Sequence, residues 1–206
     1  MRCWKKSLNA LIWILVVLTS VPSVAGDSWW SGLWGGAKPQ PNHEDVGYIR
    51  VSSLKLEQIS EGFFIIGQYD VHLSSSLQET LLHGVVLHFD VSEEVWQVRH
   101  LWWDREWSTQ IQDRWLSYNP LTEEFIVRMG SIVQSFGQES DALTALGTIL
   151  HLPVASAQEL SPGGVYQVRL QMRLDSDKLP QPLQADSLSS NGWKLEAPLW
   201  QVRFKS

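Results

Sequence analysis

The sequence has almost no cysteine: Cys3 is the only one among 206 residues. It lies in an N-terminal segment that we expect to be removed, so the mature chain would contain no thiol at all. An oxidising compartment would then bring no disulfide, and thiol chemistry is excluded.

Charged side chains are also scarce, at 18% of the chain, and 16 basic residues face 22 acidic ones, for a formal net charge of −6. Loss of the N-terminal segment, which carries Arg2, Lys5 and Lys6 but no acid, makes the balance more negative. An acidic surface of this kind disfavours nucleic acid and anionic lipid as partners.

Known catalytic motifs are missing as well. The chain has no G-x-S-x-G, H-E-x-x-H, phosphate-binding loop or C-x-x-C, so we predict a non-enzymatic protein with no catalytic residues and no cofactor. One pair keeps a hydrolytic alternative open. Asp104 and Glu106 are two residues apart, and on one strand face their carboxylates would be ~7 Å apart, within the range of inverting glycosidases.

A secretory signal is present at the N-terminus. A basic start, an apolar run at 8–18 and small residues at 23–25 predict a signal peptide over 1–25 and export to the periplasm. The alternative is an uncleaved inner-membrane anchor, although the run is shorter than the ~20 residues that span a bilayer. Residues 26–47, rich in Gly, Pro and Ser, predict a flexible linker, and 48–206 a single domain.

Twelve tryptophans are far more than usual, and they are densest in the stretch 101–115. Most of its odd positions are apolar and its even positions from 104 are polar, the period of a strand with one buried face. We therefore expect Trp103, Trp107 and Ile111 in the core. So long a strand needs a bend or bulge near one of the residues that interrupt its apolar face: Arg105, Thr109 or Asp113.

Alternation elsewhere predicts a mainly β fold. The clearest strand runs over 166–174 and directs Tyr166, Leu170 and Met172 to the core. The last strand is expected over Trp193–Phe204, where Pro198 indicates a sheet edge or a bend. We predict an antiparallel β-sandwich, immunoglobulin-like in general architecture, with seven to nine strands and two short helices.

The two helices are predicted from their ends. Ser76 and Glu79 fit a capping box that starts the first helix. The second is expected over Asp141–Leu150, with Ser140 as its cap and a shared apolar face that includes Leu150.

One group of side chains offers a weak candidate for a metal site. Asp70 and His72 share the polar face of one predicted strand, and His88 and Asp90 that of the next. If the two strands pair, the four side chains could hold a divalent ion. Two polar strand faces that simply meet water are the more ordinary explanation, so no metal is predicted.

The C-terminal part carries a resemblance to a known family. The chain resembles the exported proteobacterial family catalogued as domain of unknown function 4390 over roughly residues 48–204. The family pattern has an RMRLD strand end, which is matched here from Met172 to Asp175, then an LP-x-PL segment and a final W-x-L. The matching residues are Met172, Arg173, Leu174, Asp175, Leu179, Pro180, Pro182, Leu183, Trp193 and Leu195. The resemblance implies export and genes that lie beside one for a membrane sensor kinase, but no activity.

The function expected from these features is binding of a protein or peptide in the cell envelope, with a membrane sensor kinase as the most specific partner. Leu179, Pro180, Pro182 and Leu183 could present an extended polyproline-like surface, and Trp102 an aromatic contact. An alternative is a carbohydrate-binding or hydrolytic envelope protein. Peptide binding and carbohydrate binding or hydrolysis would be distinguished by whether the tryptophans are buried or line a groove.

Overall fold

The computed structural model describes residues 46–99, 101–181, 183–184 and 191–206. They lie in one compact unit, residues 43–206. The predicted signal peptide and nearly all of the predicted linker lie outside the described residues.

Within these residues the chain forms nine β-strands and two α-helices: β1 Tyr48–Ile59, β2 Gly62–His72, α1 Ser75–Leu82, β3 Leu87–Val98, β4 Arg105–Asn119, β5 Glu124–Met129, β6 Ile132–Phe136, α2 Glu139–Gly147, β7 Thr148–Ser156, β8 Val165–Leu174 and β9 Trp200–Lys205. All strand pairs are antiparallel. One sheet has the order β1-β2-β7 and the other β6-β5-β4-β3-β8-β9. The prediction of a mainly β, sandwich-like fold with two short helices is confirmed.

The core takes one face of each sheet. On β8 the alternation places Tyr166, Leu170 and Met172 inside, at 1% exposure or less, as predicted. The opposite sheet contributes side chains such as Phe63, whose ring centroid lies 4.5 Å from that of Phe204 on β9. Each sheet thus covers the apolar face of the other, the arrangement by which an antiparallel sheet removes one face from water.

Both helices differ in their limits from the prediction. Ser74, and not Ser76, caps α1, with its hydroxyl accepting from the Leu77 N–H. Helix α2 ends at Gly147 because the chain then pairs with β2 through Thr148, and a Cβ at Gly147 would meet the Tyr69 carbonyl oxygen. Leu150 therefore belongs to strand β7, where it is 76% exposed.

The tryptophan-rich stretch 101–115 departs most from the prediction. Strand β4 begins only at Arg105, and Ile111 and Trp103 are 63% and 92% exposed, so the expectation that both are buried is wrong. The odd face of β4 points away from the core, while Arg114 and Leu116 of the even face are buried. Alternation identifies two faces of a strand, but packing decides which of them is covered.

A bulge explains why Trp107 departs from its neighbours. Val95 pairs with Ser108 and Trp96 with Glu106, so Trp107 is the extra residue. This bulge lies between Arg105 and Thr109, two of the three residues near which a bend or bulge was predicted. It turns Trp107 toward the core, where its ring packs edge-on at 6.4 Å from Tyr166.

Candidate functional site

The candidate metal patch is not assembled. Strand β2, with Asp70 and His72, pairs with β1 and β7, whereas β3, with His88 and Asp90, pairs with β4 and β8 in the other sheet. The premise that the two strands pair is wrong. The described residues contain no group of three or more His, Cys, Asp or Glu side chains that could hold a metal ion.

The proline-containing segment is not an extended surface. Leu179 is buried at 3% exposure, Pro182 lies outside the described residues, and half-buried Leu183 packs against the core. The Leu183 N–H donates to the Pro180 carbonyl at 2.9 Å, which closes a turn. The prediction of an extended segment is wrong here, because the apolar side chains anchor the chain to the domain.

The described family-signature residues mostly serve packing. Met172 and Leu174 on β8, then Leu179, Trp193 and Leu195, are all buried. The spacing of these residues in the sequence thus reflects the points at which this part of the chain contacts the core.

The polar signature residues belong to an ionic cluster on the outer face of the six-stranded sheet. The Lys178 ammonium group lies 2.9 Å from Asp113, 3.2 Å from Asp175 and 3.5 Å from Asp90. Arg173 lies 3.5 Å from Asp90. These contacts join the turn after β8 to strands β3 and β4.

The charges in this cluster stabilise one another. Burial works to raise the pKa of the Asp113 carboxyl, but hydrogen bonds from Lys178 and His88 lower it below its usual value. The same hydrogen bond to Asp113, aided by one to Asp175, raises the pKa of Lys178. Because carboxylates and cations satisfy one another here, the cluster fastens the fold and leaves little unpaired charge for a ligand.

A second polar feature lies inside the domain. Glu93 is 2% exposed, and neither of its carboxylate oxygens has a hydrogen-bond partner among the described residues. Burial raises its pKa to about 7. Its backbone lies between Gln110 on β4 and Leu170 on β8, so a neutral carboxylic acid is the form that this apolar setting favours.

Buried Arg114, unlike Glu93, has hydrogen-bond partners for its side-chain nitrogens. Its Nη1 donates to the carbonyls of Leu146 at 2.7 Å and Thr148 at 2.8 Å, and Gln112 accepts from Nε and Nη2. Burial lowers the pKa of Arg114 to about 10 and raises that of Tyr69. These bonds tie β4 to the junction of α2 and β7.

The described part of the chain has four sheet edges, and three of them are blocked. Strand β1 carries charged side chains and a bulge, β7 contains Pro153 and two register shifts, and β9 carries Arg203 and Lys205. Charges, proline and bulges are the devices that prevent pairing with a further strand. The prediction from Pro198 that the last strand lies at an edge is confirmed.

Strand β6 is the exception. Its sequence, IVQSF, has no charge and no proline, and its pairing with β5 is regular. Ile132 and Val133 are 56% and 57% exposed. An exposed edge that lacks charge, proline and bulge is a template for an incoming strand.

The turn before β6 fixes which backbone groups are free. Gly130, at φ 60°, starts a two-residue loop, so Met129 and Ile132 form the hydrogen-bonded pair beside it. Bonded and unbonded pairs then alternate along the hairpin. The N–H and C=O groups of Val133 and Ser135 therefore point away from β5, toward the open edge.

A groove of about 300 Å³ lies beside this edge. Its lining residues come from β6, α2 and the start of β7: Gln134, Phe136, Asp141, Thr144, Ala145, Thr148 and Leu150. A strand added to β6 would direct alternate side chains toward the groove. We call β6 and this groove the β6 edge site.

Sequence reasoning missed the β6 edge site. The segment after Met129 was not predicted as a strand of its own, although the pair Gly130-Ser131 before β-branched Ile132 and Val133 is a hairpin signal. That β6 ends a sheet depends on the pairing order of distant strands, which no local pattern carries.

Fold and site together define a mainly β protein in which one sheet edge of the described residues lacks charge, proline and bulge. The chain belongs to the family described as Domain of unknown function (DUF4390), which matches residues 48–203. No curated protein and no solved structure matches this chain. None of the helices formed by the described residues is both long and apolar enough to cross a bilayer.

Proposed function

We propose that this protein is a non-enzymatic interaction module that binds a protein or peptide segment as an added strand at β6. The observation that supports the proposal is the contrast between β6 and the blocked edges β1, β7 and β9. Backbone pairing supplies affinity in this mode, and side-chain pockets supply specificity.

The groove suggests the chemistry of the ligand. Phe136, Ala145 and Leu150 give it apolar walls, and Asp141 is the single charged residue in its described lining. An extended segment with an aliphatic or aromatic residue two positions from a lysine or arginine fits both features, because alternate side chains face the groove. Two free N–H and two free C=O groups limit the paired core to about three or four ligand residues.

The test is site-specific photo-crosslinking in the producing cell. A photoreactive residue at Gln134, which lines the groove, should give a discrete adduct that the same residue at Leu121 does not. Leu121 is a matched control because it is 93% exposed in the turn between β4 and β5. The absence of an adduct specific to Gln134 would contradict the proposal.

Two variants connect the adduct to backbone pairing. Val133→Pro removes a free N–H without removing a bond to β5, whereas Val133→Thr keeps the N–H and the branched side chain. The adduct should be lost with proline and kept with threonine. Leu150→Lys, which leaves β6 intact and places in the groove a charge of the same sign as the ligand's basic residue, should also lose it, and a thermal unfolding midpoint shared with the parent shows that all three fold.

The place of action is proposed from the N-terminal sequence alone: the periplasm, after cleavage near Ala25, or the inner-membrane surface if the segment is retained. N-terminal sequencing of protein from a periplasmic extract should begin at or near Gly26. The family resemblance supports a membrane sensor kinase as the first partner to seek in the adduct.

One observation favours a second candidate function, carbohydrate binding. Half-buried Trp107 lines a groove of about 430 Å³ with Ser108, Gln110 and Glu159, and an indole face beside polar groups suits a sugar ring. Titration with soluble peptidoglycan fragments, compared between the parent and Trp107→Ala, tests it. Asp104 and Glu106, the suggested hydrolytic pair, are exposed and accept hydrogen bonds from Arg99 and Thr109.

A further inference from the structure

The loop between β3 and β4 carries the most exposed apolar side chains of the β3–β4 hairpin. Leu101, Trp102 and Trp103 are 90%, 77% and 92% exposed. None of the three belongs to the core or to the residues packed against it. Three consecutive apolar side chains held in water mark a site of interaction.

The hairpin beneath holds this loop in place. Strands β3 and β4 remain paired up to Gln97 and Arg105. Beyond that pair, the Asp104 carboxylate accepts a hydrogen bond from the Arg99 N–H at 3.2 Å. The three side chains therefore project from the end of a closed hairpin, which we call the tryptophan tip.

The chemistry of the tip matches the surface of a lipid bilayer. Tryptophan prefers the boundary between headgroups and acyl chains, because its ring is apolar and its N–H is polar. Arg99 and Arg105 flank the tip, and both are exposed, at the level where phosphate groups would lie. Apolar side chains at the end of the loop and cations at its base thus follow the order of acyl chains and phosphate groups in a bilayer.

We propose that the tryptophan tip inserts into the interfacial region of a phospholipid bilayer. The indole and leucine side chains supply the apolar contact, and the two arginines pair with lipid phosphates. The tip is separate from the β6 edge site: β5 pairs with β4 only from Arg114 onward, roughly 30 Å along the strand from Arg105, and β6 lies on the far side of β5. A chain docked by the tip would keep β6 free for a partner.

The test measures how deeply the tip enters the bilayer, and not only whether the chain binds to vesicles. Binding alone is not sufficient, because the N-terminal segment could itself hold the full chain at a membrane. A Cys3→Ser chain receives an environment-sensitive fluorophore through Trp103→Cys, or through Leu121→Cys as the matched control. Each is reconstituted with phosphatidylcholine vesicles that carry brominated acyl chains, with and without phosphatidylglycerol.

The label at position 103 should shift to the blue and be quenched at least about threefold more than the label at 121. The effect should already occur with phosphatidylcholine alone, because its phosphate groups can pair with the arginines and the acidic surface of the chain gives anionic lipid no general advantage. Equal quenching at both positions would overturn the proposal. So would a blue shift at 103 that occurs only when envelope proteins are added, since the tip would then contact a protein. Neither labelled side chain packs on the core, so unchanged unfolding midpoints are the expected fold control.

Discussion

Phe136 at the end of β6 and Leu150 in β7 line one groove although their strands belong to different sheets. The junction exists because α2 connects the two sheets and leaves the outer edge of β6 uncovered by a strand. Apolar walls and free backbone groups of β6 therefore meet in one place. The proposed binding function depends on this conjunction.

The first prediction concerns the core. Leu170→Ala should lower the free energy of unfolding by about 2–5 kcal/mol, because Leu170 is fully buried and its loss leaves a cavity. Ile111→Ala should change it by no more than about 0.5 kcal/mol, since Ile111 is on the outer face of β4. Denaturant titration of both variants checks this, and similar losses would show that the faces of the sheet are misassigned.

Alternation was a sound guide wherever a strand has one clearly apolar face. Tyr166, Leu170 and Met172 were predicted to be buried and are, because nothing interrupts the period of β8. The tryptophan stretch misled for two physical reasons. Residues 101–104 form the end of a hairpin, and the bulge at Trp107 changes the phase, so Trp103 and Ile111 face solvent.

The second prediction uses the buried carboxyl of Glu93. Because burial raises its folded pKa to about 7 from an ordinary 4.5, the folded chain holds this proton more tightly than the unfolded chain does. The free energy of unfolding should therefore fall as the pH rises from 4.5 to 7, by roughly 3 kcal/mol in total.

Glu93→Gln should remove that pH dependence, and Glu94→Gln, on the outer face of the same strand, should keep it. Chemical unfolding at several pH values between 4 and 8 measures the slope. An unchanged slope in Glu93→Gln would show that Glu93 is not the group responsible.

A third prediction tests the ionic cluster. Hydrogen bonds from Lys178 and His88 lower the pKa of Asp113, so its contribution to stability is present above its ordinary value and is lost as the pH falls through the lower, folded value. Asp113→Asn should reduce the loss of stability below about pH 4, whereas Asp104→Asn, outside the cluster, should not. Because Asp113 is half exposed, the change should be modest, and acid unfolding curves of equal shape would count against the cluster.

The cluster and the β6 edge site share one reason for having escaped sequence analysis. Asp90 meets Arg173 only because β3 pairs with β8, and β6 is an edge only because the pairing order ends there. Both facts depend on contacts between residues far apart in the chain. Local patterns predict strands and faces, but they do not predict which strands become neighbours.

The central claim is that β6 accepts an added strand, and amide hydrogen exchange at two residues tests it most directly. Peptides are selected from a random display library on the parent chain, and exchange is followed by NMR with and without the best binder. The amides of Val133 and Ser135 should become protected, and the peptide should bind Val133→Thr but not Val133→Pro. Protection at another edge or at the tryptophan tip, with β6 unchanged and Val133→Pro still binding, would contradict the account.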